Sequence, residues 1–67
     1  METVILYSPI EDKNIQKSLN DSPIWKHAIH EDELLDNINK GKTLFQYKIQ
    51  FDGLKPVQVT SVKKHVN

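Results

Sequence analysis

The feature that most constrains the fold is an alternation of apolar and polar residues within residues 44–51. Phe45, Tyr47, Ile49 and Phe51 alternate there with Gln46, Lys48 and Gln50. Successive side chains of a β-strand point to opposite faces of its sheet, so this pattern predicts a strand with one buried and one solvated face. A strand of this kind needs neighbouring strands, and other segments of the chain supply them.

A hairpin is predicted directly after this strand. Asp52 and Gly53 are a typical turn pair, and residues 57–60 supply a returning strand. A turn of only those two residues would direct the returning valines to solvent, and a register slip of one residue reverses every side chain. We therefore expect either a three-residue loop or a bulge near residues 55–56. In either case the predicted buried face carries Phe45, Tyr47, Ile49, Phe51, Val57 and Val59.

The apolar pattern indicates how the sheet continues on both sides of this hairpin. Past Ser61 the apolar positions shift to Val62 and Val66, which indicates a second irregularity or a frayed end. Residues 3–7 are β-branched or aromatic apart from Leu6, and they are apolar on both faces. This segment is predicted to be a strand that is covered on both sides or central in its sheet.

A short helix is predicted after the first strand. Ser8 is suited to cap a helix, Pro9 to its first position, and Glu11 to complete a capping box. The residues that follow are mostly polar. We expect this helix to end near Asn20.

Residues 22–40 allow two interpretations. Residues 22–23 repeat the start signal, so one interpretation is a single helix over about residues 23–40. The other is a short element through Trp25 followed by a separate helix from Glu31, where an acidic cluster meets the positive end of the helix dipole. We favour two pieces, with Gly41 supplying a left-handed cap at the end.

These elements predict a single α+β domain over residues 1–67. We expect a three-stranded sheet, built from one strand, one or two helices and an antiparallel β-hairpin, with the helices packed on one face and the first connection crossing right-handedly. The chain has 67 residues and no cysteine, so disulfides and thiolate metal sites are excluded. A domain this small has little core to stabilise it, and a homodimer is one way to cover the second face of the first strand.

The balance of charged residues argues against several classes of nucleic-acid-related function. Nine acidic residues balance nine lysines, and there is no arginine. Neutrality argues against a DNA-mimicking inhibitor and against a general polycation, while the lack of arginine argues against sequence-specific DNA reading. No signal peptide or membrane span is expected, because the longest apolar run covers only residues 4–7. We therefore expect a cytoplasmic protein.

No catalytic constellation is evident, so we expect neither an enzyme nor a cofactor. The serines and threonines lack a nucleophile signature, and both glycines are expected in turns. His27 and His30 would share a face of a helix, near Glu31 and Glu33, and His65 would be a third metal ligand only if the C-terminal end folds back. Because this ligand set is incomplete, we expect solvated histidines and no metal site.

The leading hypothesis is a non-catalytic protein-binding module, a small intracellular regulator or inhibitor that occludes a larger protein partner. Trp25 is either a core residue or an interface anchor. As an anchor it would form an apolar patch beside an acidic rim, and the candidate contact residues are Trp25, Ile24, Ile29, Glu31 and Glu33.

The alternative is a nucleic-acid-binding protein. Lys48, Lys55, Lys63 and Lys64 would form a basic sheet face, with Tyr7 as a stacking residue if it lies on the same face. The competing explanation is that lysines on edge strands prevent sheets from pairing with one another.

Overall fold

Within residues 1–65 the fold consists of three antiparallel strands and one α-helix, with two short 3-10 helices, which confirms the predicted α+β class. The structure is a computed structural model that describes residues 1–65, the side chain of His65 excepted. Its elements are β1 (Glu2–Ser8), two 3-10 helices (Leu19–Asp21 and Pro23–Trp25), α1 (Glu31–Asn39), β2 (Leu44–Asp52) and β3 (Lys55–His65). The strands lie in the order β1-β2-β3, so β2 is central.

The core lies on one face of the sheet, around the middle of β2. Tyr47 and Ile49 are fully buried on the predicted face, and Phe45 and Phe51 are partly buried beside them. The connection between β1 and α1 covers this face. The buried cluster is completed by Ile15 and Ile24 from that connection and by Val59 from β3.

The hairpin turn lies one residue later than predicted. Asp52 pairs with Lys55, so the loop consists of Gly53 and Leu54 and has two residues, not three. Gly53 has a φ of 64°, a left-handed conformation that glycine adopts without steric strain. The predicted bulge is therefore the feature that restores the register.

Two β-bulges interrupt β3. The first falls at Val57, directly after Pro56, and it returns Val59 to the buried face. Val57 is itself the extra residue and is 43% exposed, so its predicted place on the buried face is wrong. The second bulge falls at Thr60 and confirms the second irregularity. Val66, on which that prediction also rested, lies outside the described residues.

The predicted position of β1 is wrong in two respects. It is an edge strand and not a central one, and Val4 and Ile5 are 38% and 50% exposed. It also runs antiparallel to β2, with Val4 opposite Ile49 and Leu6 opposite Tyr47. The right-handed crossover applies only to parallel neighbours, so no such crossover exists here.

The predicted helix after Ser8 does not form. The Ser8 hydroxyl accepts a hydrogen bond from the Ile10 N–H at 3.1 Å, but a turn follows instead of a helix. The Tyr47 hydroxyl donates to the Ile10 carbonyl at 2.6 Å and accepts from the Asp12 N–H at 3.0 Å. These bonds to a distant strand use backbone groups that a helix would need for its own ladder.

Residues 22–40 form two pieces, as the favoured interpretation predicted. The Ser22 hydroxyl accepts from the Ile24 N–H at 3.3 Å and caps the second 3-10 helix. The acidic cluster occupies the first turn of α1. Gly41, with a φ of 75°, closes α1 by donating its N–H to the Ile38 carbonyl at 3.0 Å. This left-handed cap was predicted from the glycine.

Candidate functional site

The chain meets the outer side of β1 at one point just before α1. The Ile29 N–H donates to the Tyr7 carbonyl at 2.8 Å, and the two residues form an isolated bridge. Glu31 then begins α1, so the chain leaves the strand edge after this single contact. No residue of α1 is buried, and the helix is held by partly buried side chains such as Leu34 and Ile38.

A pocket of about 330 Å³ lies between α1 and β1. We call it the α1 groove, and its lining residues are Ile5, Leu6, Tyr7, Ile29, Glu31 and Leu34. Leu35 follows Glu31 by four residues, which places both on the same side of the helix. Leu35 is 68% exposed, so α1 carries a further exposed apolar side chain one turn after Glu31.

Glu31, which lines the α1 groove, belongs to an acidic first turn of α1. Glu31, Asp32 and Glu33 are all exposed in the first turn of α1, where the helix dipole favours negative charge. Among the described residues, none of these three carboxylates forms an ion pair. The groove therefore combines apolar walls with unneutralised negative charge at one end.

The five residues predicted to contact a partner do not form one surface. Ile24 is fully buried in the core cluster, so it is not available to a partner in this structure. Ile29 and Glu31 line the α1 groove, and Glu33 is exposed on the same helical turn. A role for these last three in binding stays a prediction.

Trp25 packs against the core and remains partly exposed. Its indole N–H donates to the Leu19 carbonyl at 2.7 Å, and its ring meets the edge of Phe51 with centroids 6.0 Å apart. It also lines a second, more open pocket of about 240 Å³, together with Asn20, Phe51, Leu54 and Pro56. Most of what fixes Trp25 is therefore internal packing.

Three of the four lysines predicted to form a basic face lie on the same side of the sheet. Lys48, Lys55 and Lys63 share the face opposite the core, because they lie on β2 or opposite its outward residues. Lys64 pairs with Phe45 and therefore belongs to the core face. Tyr7 lies on the lysine-bearing face and accepts a hydrogen bond from the Gln46 side chain at 2.9 Å.

The two central histidines do not share a helical face. His27 and His30 are both exposed, and they lie in the turn and extended residues before α1. Among the described residues, no group of three or more potential ligands could hold a metal ion. In the same part of the chain, no helix is long and apolar enough to span a membrane.

The buried Tyr47 hydroxyl connects the central strand to the segment that follows β1. Burial raises the pKa of Tyr47, and the negative charges of Asp12 and Glu11 add to the shift, while the hydrogen bond from Asp12 opposes it. Asp12 in turn accepts a bond from the Ser22 hydroxyl at 2.7 Å. This network fixes the connection between β1 and α1 onto the sheet.

Sequence reasoning missed the part of the groove contributed by Ile5 and Leu34. The signal was present in β1, whose residues are apolar on both faces. That pattern predicts a strand that is covered on both sides or central in its sheet, whereas β1 is an edge strand whose second face borders the α1 groove. Neither family models nor curated proteins nor solved structures match this chain, so no relative supplies a function for it.

Proposed function

We propose that this protein is a non-catalytic protein-binding module that regulates or inhibits a larger partner by occluding it, and that the α1 groove is its contact surface. The observation that carries the proposal is an open apolar groove beside an unpaired acidic turn. Exposed apolar surface with a charged rim is typical of protein interaction sites.

The chemistry of the groove defines the partner's contact segment. Ile5, Ile29 and Leu34 favour an apolar side chain as the anchor. Glu31 and its acidic neighbours favour lysine or arginine next to that anchor, since opposite charges guide association. We therefore expect a partner segment that combines an apolar anchor with flanking basic residues.

Replacing Leu35 with lysine tests the proposal. Leu35 is 68% exposed, so the substitution removes apolar contact surface without disturbing the core. Leu54→Lys is the matched control, because Leu54 is 99% exposed at the hairpin tip. Tagged wild-type protein and Leu54→Lys should copurify one stoichiometric protein from the native cell, and Leu35→Lys should bind that protein at least about tenfold more weakly.

Two results would contradict this function. One is a partner that binds Leu35→Lys as tightly as it binds the wild type. The other is repeated failure to recover any stoichiometric partner with the wild-type protein.

Nucleic-acid binding is the second candidate, and one observation favours it. Lys48, Lys55 and Lys63 share a face with Tyr7, which is the arrangement expected for holding a single strand. Binding of this kind must weaken steeply as salt rises. Lys63→Gln should reduce the salt dependence, whereas Lys64→Gln, on the opposite face, should not. A flat salt response of the wild type would remove this candidate.

A further inference from the structure

The outer side of β1 carries backbone groups that no strand within residues 1–65 uses. The Tyr7 carbonyl accepts from Ile29, so the peptide groups of Tyr7 point away from β2. Alternate residues of a strand point their peptide groups to the same side, so those of Thr3 and Ile5 also point outward. Among the described residues, Ile29 is the only one that pairs with β1 on that side. We call residues 2–5 the free β1 edge.

The free β1 edge has few of the features by which proteins protect exposed strands, which include charged side chains, proline and β-bulges. Its one charged residue is Glu2, at the start of the strand. Residues 2–5 contain neither proline nor lysine, and β1 pairs with β2 in an unbroken register. Val4 and Ile5, at 38% and 50% exposure, add apolar side chains to the unpaired backbone. An edge of this kind is a template for another strand.

We propose that a second copy of this chain covers the free β1 edge, with the two β1 strands antiparallel about a two-fold axis at Thr3. Thr3 then lies opposite Thr3 of the second copy. By the two-fold symmetry, Glu2 of each copy lies opposite Val4 of the other, and Met1 of each copy lies opposite Ile5 of the other. The two sheets join into one continuous sheet of six strands with both cores on the same side. This pairing does not depend on the proposed function.

The neighbouring registers are excluded by specific conflicts. An axis at Val4 brings Met1 of the second copy opposite Tyr7, where Ile29 already lies. An axis at Glu2 places two carboxylates directly opposite each other, which is destabilising. The axis at Thr3 avoids both conflicts and makes a favourable threonine pair.

The side chains and charges suit a second copy. Met1 is 90% exposed and Ile5 is 50% exposed, and the proposed register brings them together beside the α1 groove. The chain has a formal net charge of zero, so two copies do not repel each other. A pair of short strands is small against the roughly 1,200 Å² of a stable interface, so the dimer exchanges with monomer as concentration changes.

Sedimentation equilibrium over a range of concentrations tests the pairing. The mean mass of the wild type should rise from 7.8 kDa toward twice that value. Thr3→Pro should stay monomeric, since it removes an N–H that points outward and leaves the bonds to β2 intact. Circular dichroism checks that Thr3→Pro is folded.

Cysteine crosslinking tests the register independently, because the chain has no cysteine. Facing residues of a hydrogen-bonded antiparallel pair have Cα atoms about 5.5 Å apart, within the range of a disulfide. Thr3→Cys should form a covalent dimer under mild oxidation far faster than Leu54→Cys at the hairpin tip.

Three results would overturn the proposal. They are a wild type that stays at 7.8 kDa throughout, a Thr3→Pro variant that dimerises like the wild type, and equal crosslinking rates for the two cysteine variants. A monomeric wild type whose capture of a larger protein is lost in Thr3→Pro would assign the edge to a strand of that partner instead. Leu35→Lys reports on the α1 groove separately, so the two proposals fail independently.

Discussion

The two edge strands of the sheet, β1 and β3, differ in how far they are protected against pairing with another strand. The β3 edge carries two bulges, a proline and several lysines, and it bends away from a regular strand. The β1 edge pairs with β2 in an unbroken register and contains no lysine, and among the described residues Ile29 alone forms a backbone pair on its outer side. The difference indicates that β3 is built to remain unpaired, whereas β1 is built to be covered.

The sequence of β3 explains its irregularity. Pro56 has no N–H to donate, and the bulge at Val57 follows it directly. Each bulge adds a residue without a partner and increases the local twist, which makes edge-to-edge pairing harder. Lys63 and Lys64 point to opposite faces, so both sides of this edge carry positive charge. Protection of the edge therefore explains why Lys64 lies on the core face. The hypothesis of a basic nucleic-acid-binding face does not explain this position.

A proline substitution in β1 should give the largest loss of stability when it removes an N–H that faces β2. Comparing it with a proline at an outward position tests which backbone groups of β1 are free. Val4→Pro removes an N–H that points toward β2 and leaves a carbonyl of the central strand unpaired, which costs about 2–3 kcal/mol. Thr3→Pro removes an outward N–H and should change the free energy of unfolding by less than about 1 kcal/mol. Urea denaturation measures both. Equal losses would mean that the assignment of inward and outward groups in β1 is wrong.

Removing the Tyr47 hydroxyl should destabilise the whole domain without altering either edge, because Tyr47 lies in the buried central strand. Tyr47→Phe loses the bonds to Ile10 and Asp12, and we expect a loss of about 1–3 kcal/mol in urea denaturation. Dimerisation of the molecules that remain folded should be unchanged. A selective loss of dimer would contradict the separation of core and edge.

The raised pKa of Tyr47 should make the free energy of unfolding depend on pH in the alkaline range. Burial raises the pKa of Tyr47 above its ordinary value of 10.0, so the folded protein holds this proton more tightly than the unfolded chain does. The associated stability is fully present below pH 10.0 and is lost as pH rises through the folded pKa. Urea denaturation at neutral and alkaline pH should show this loss in the wild type and a smaller one in Tyr47→Phe.

Deleting Val57 should give the smallest change in stability and reduce the difference between the edges, because it removes one of the two bulges of β3. The deletion makes this part of β3 regular, and we expect the free energy of unfolding to change by no more than about 1 kcal/mol. Sedimentation should then detect species larger than a dimer, since both edges can pair. Val57→Ser keeps the bulge and serves as the control. Identical association of the two variants would argue against the protective role of the bulge.

Local patterns predicted those elements that depend on local chemistry. The alternation of β2, the acidic start of α1 and the glycine at its end all act within a few residues. The helix expected after Ser8 failed because Tyr47, far along the chain, binds the backbone of that segment. Of the candidate site, Ile29 and Glu31 were predicted, but Ile5 and Leu34 were not, because only the tertiary path of the chain brings them together.

Amide hydrogen exchange measured by NMR at low and high protein concentration tests the central claim most directly. At low concentration the amides of Thr3 and Ile5 should exchange rapidly, while those of Val4 and Leu6, which face β2, should be protected. At high concentration Thr3 and Ile5 should gain protection, and the outward amides of β3 should not. Rapid exchange of Thr3 and Ile5 at every concentration would contradict the claim that a second copy covers the free β1 edge.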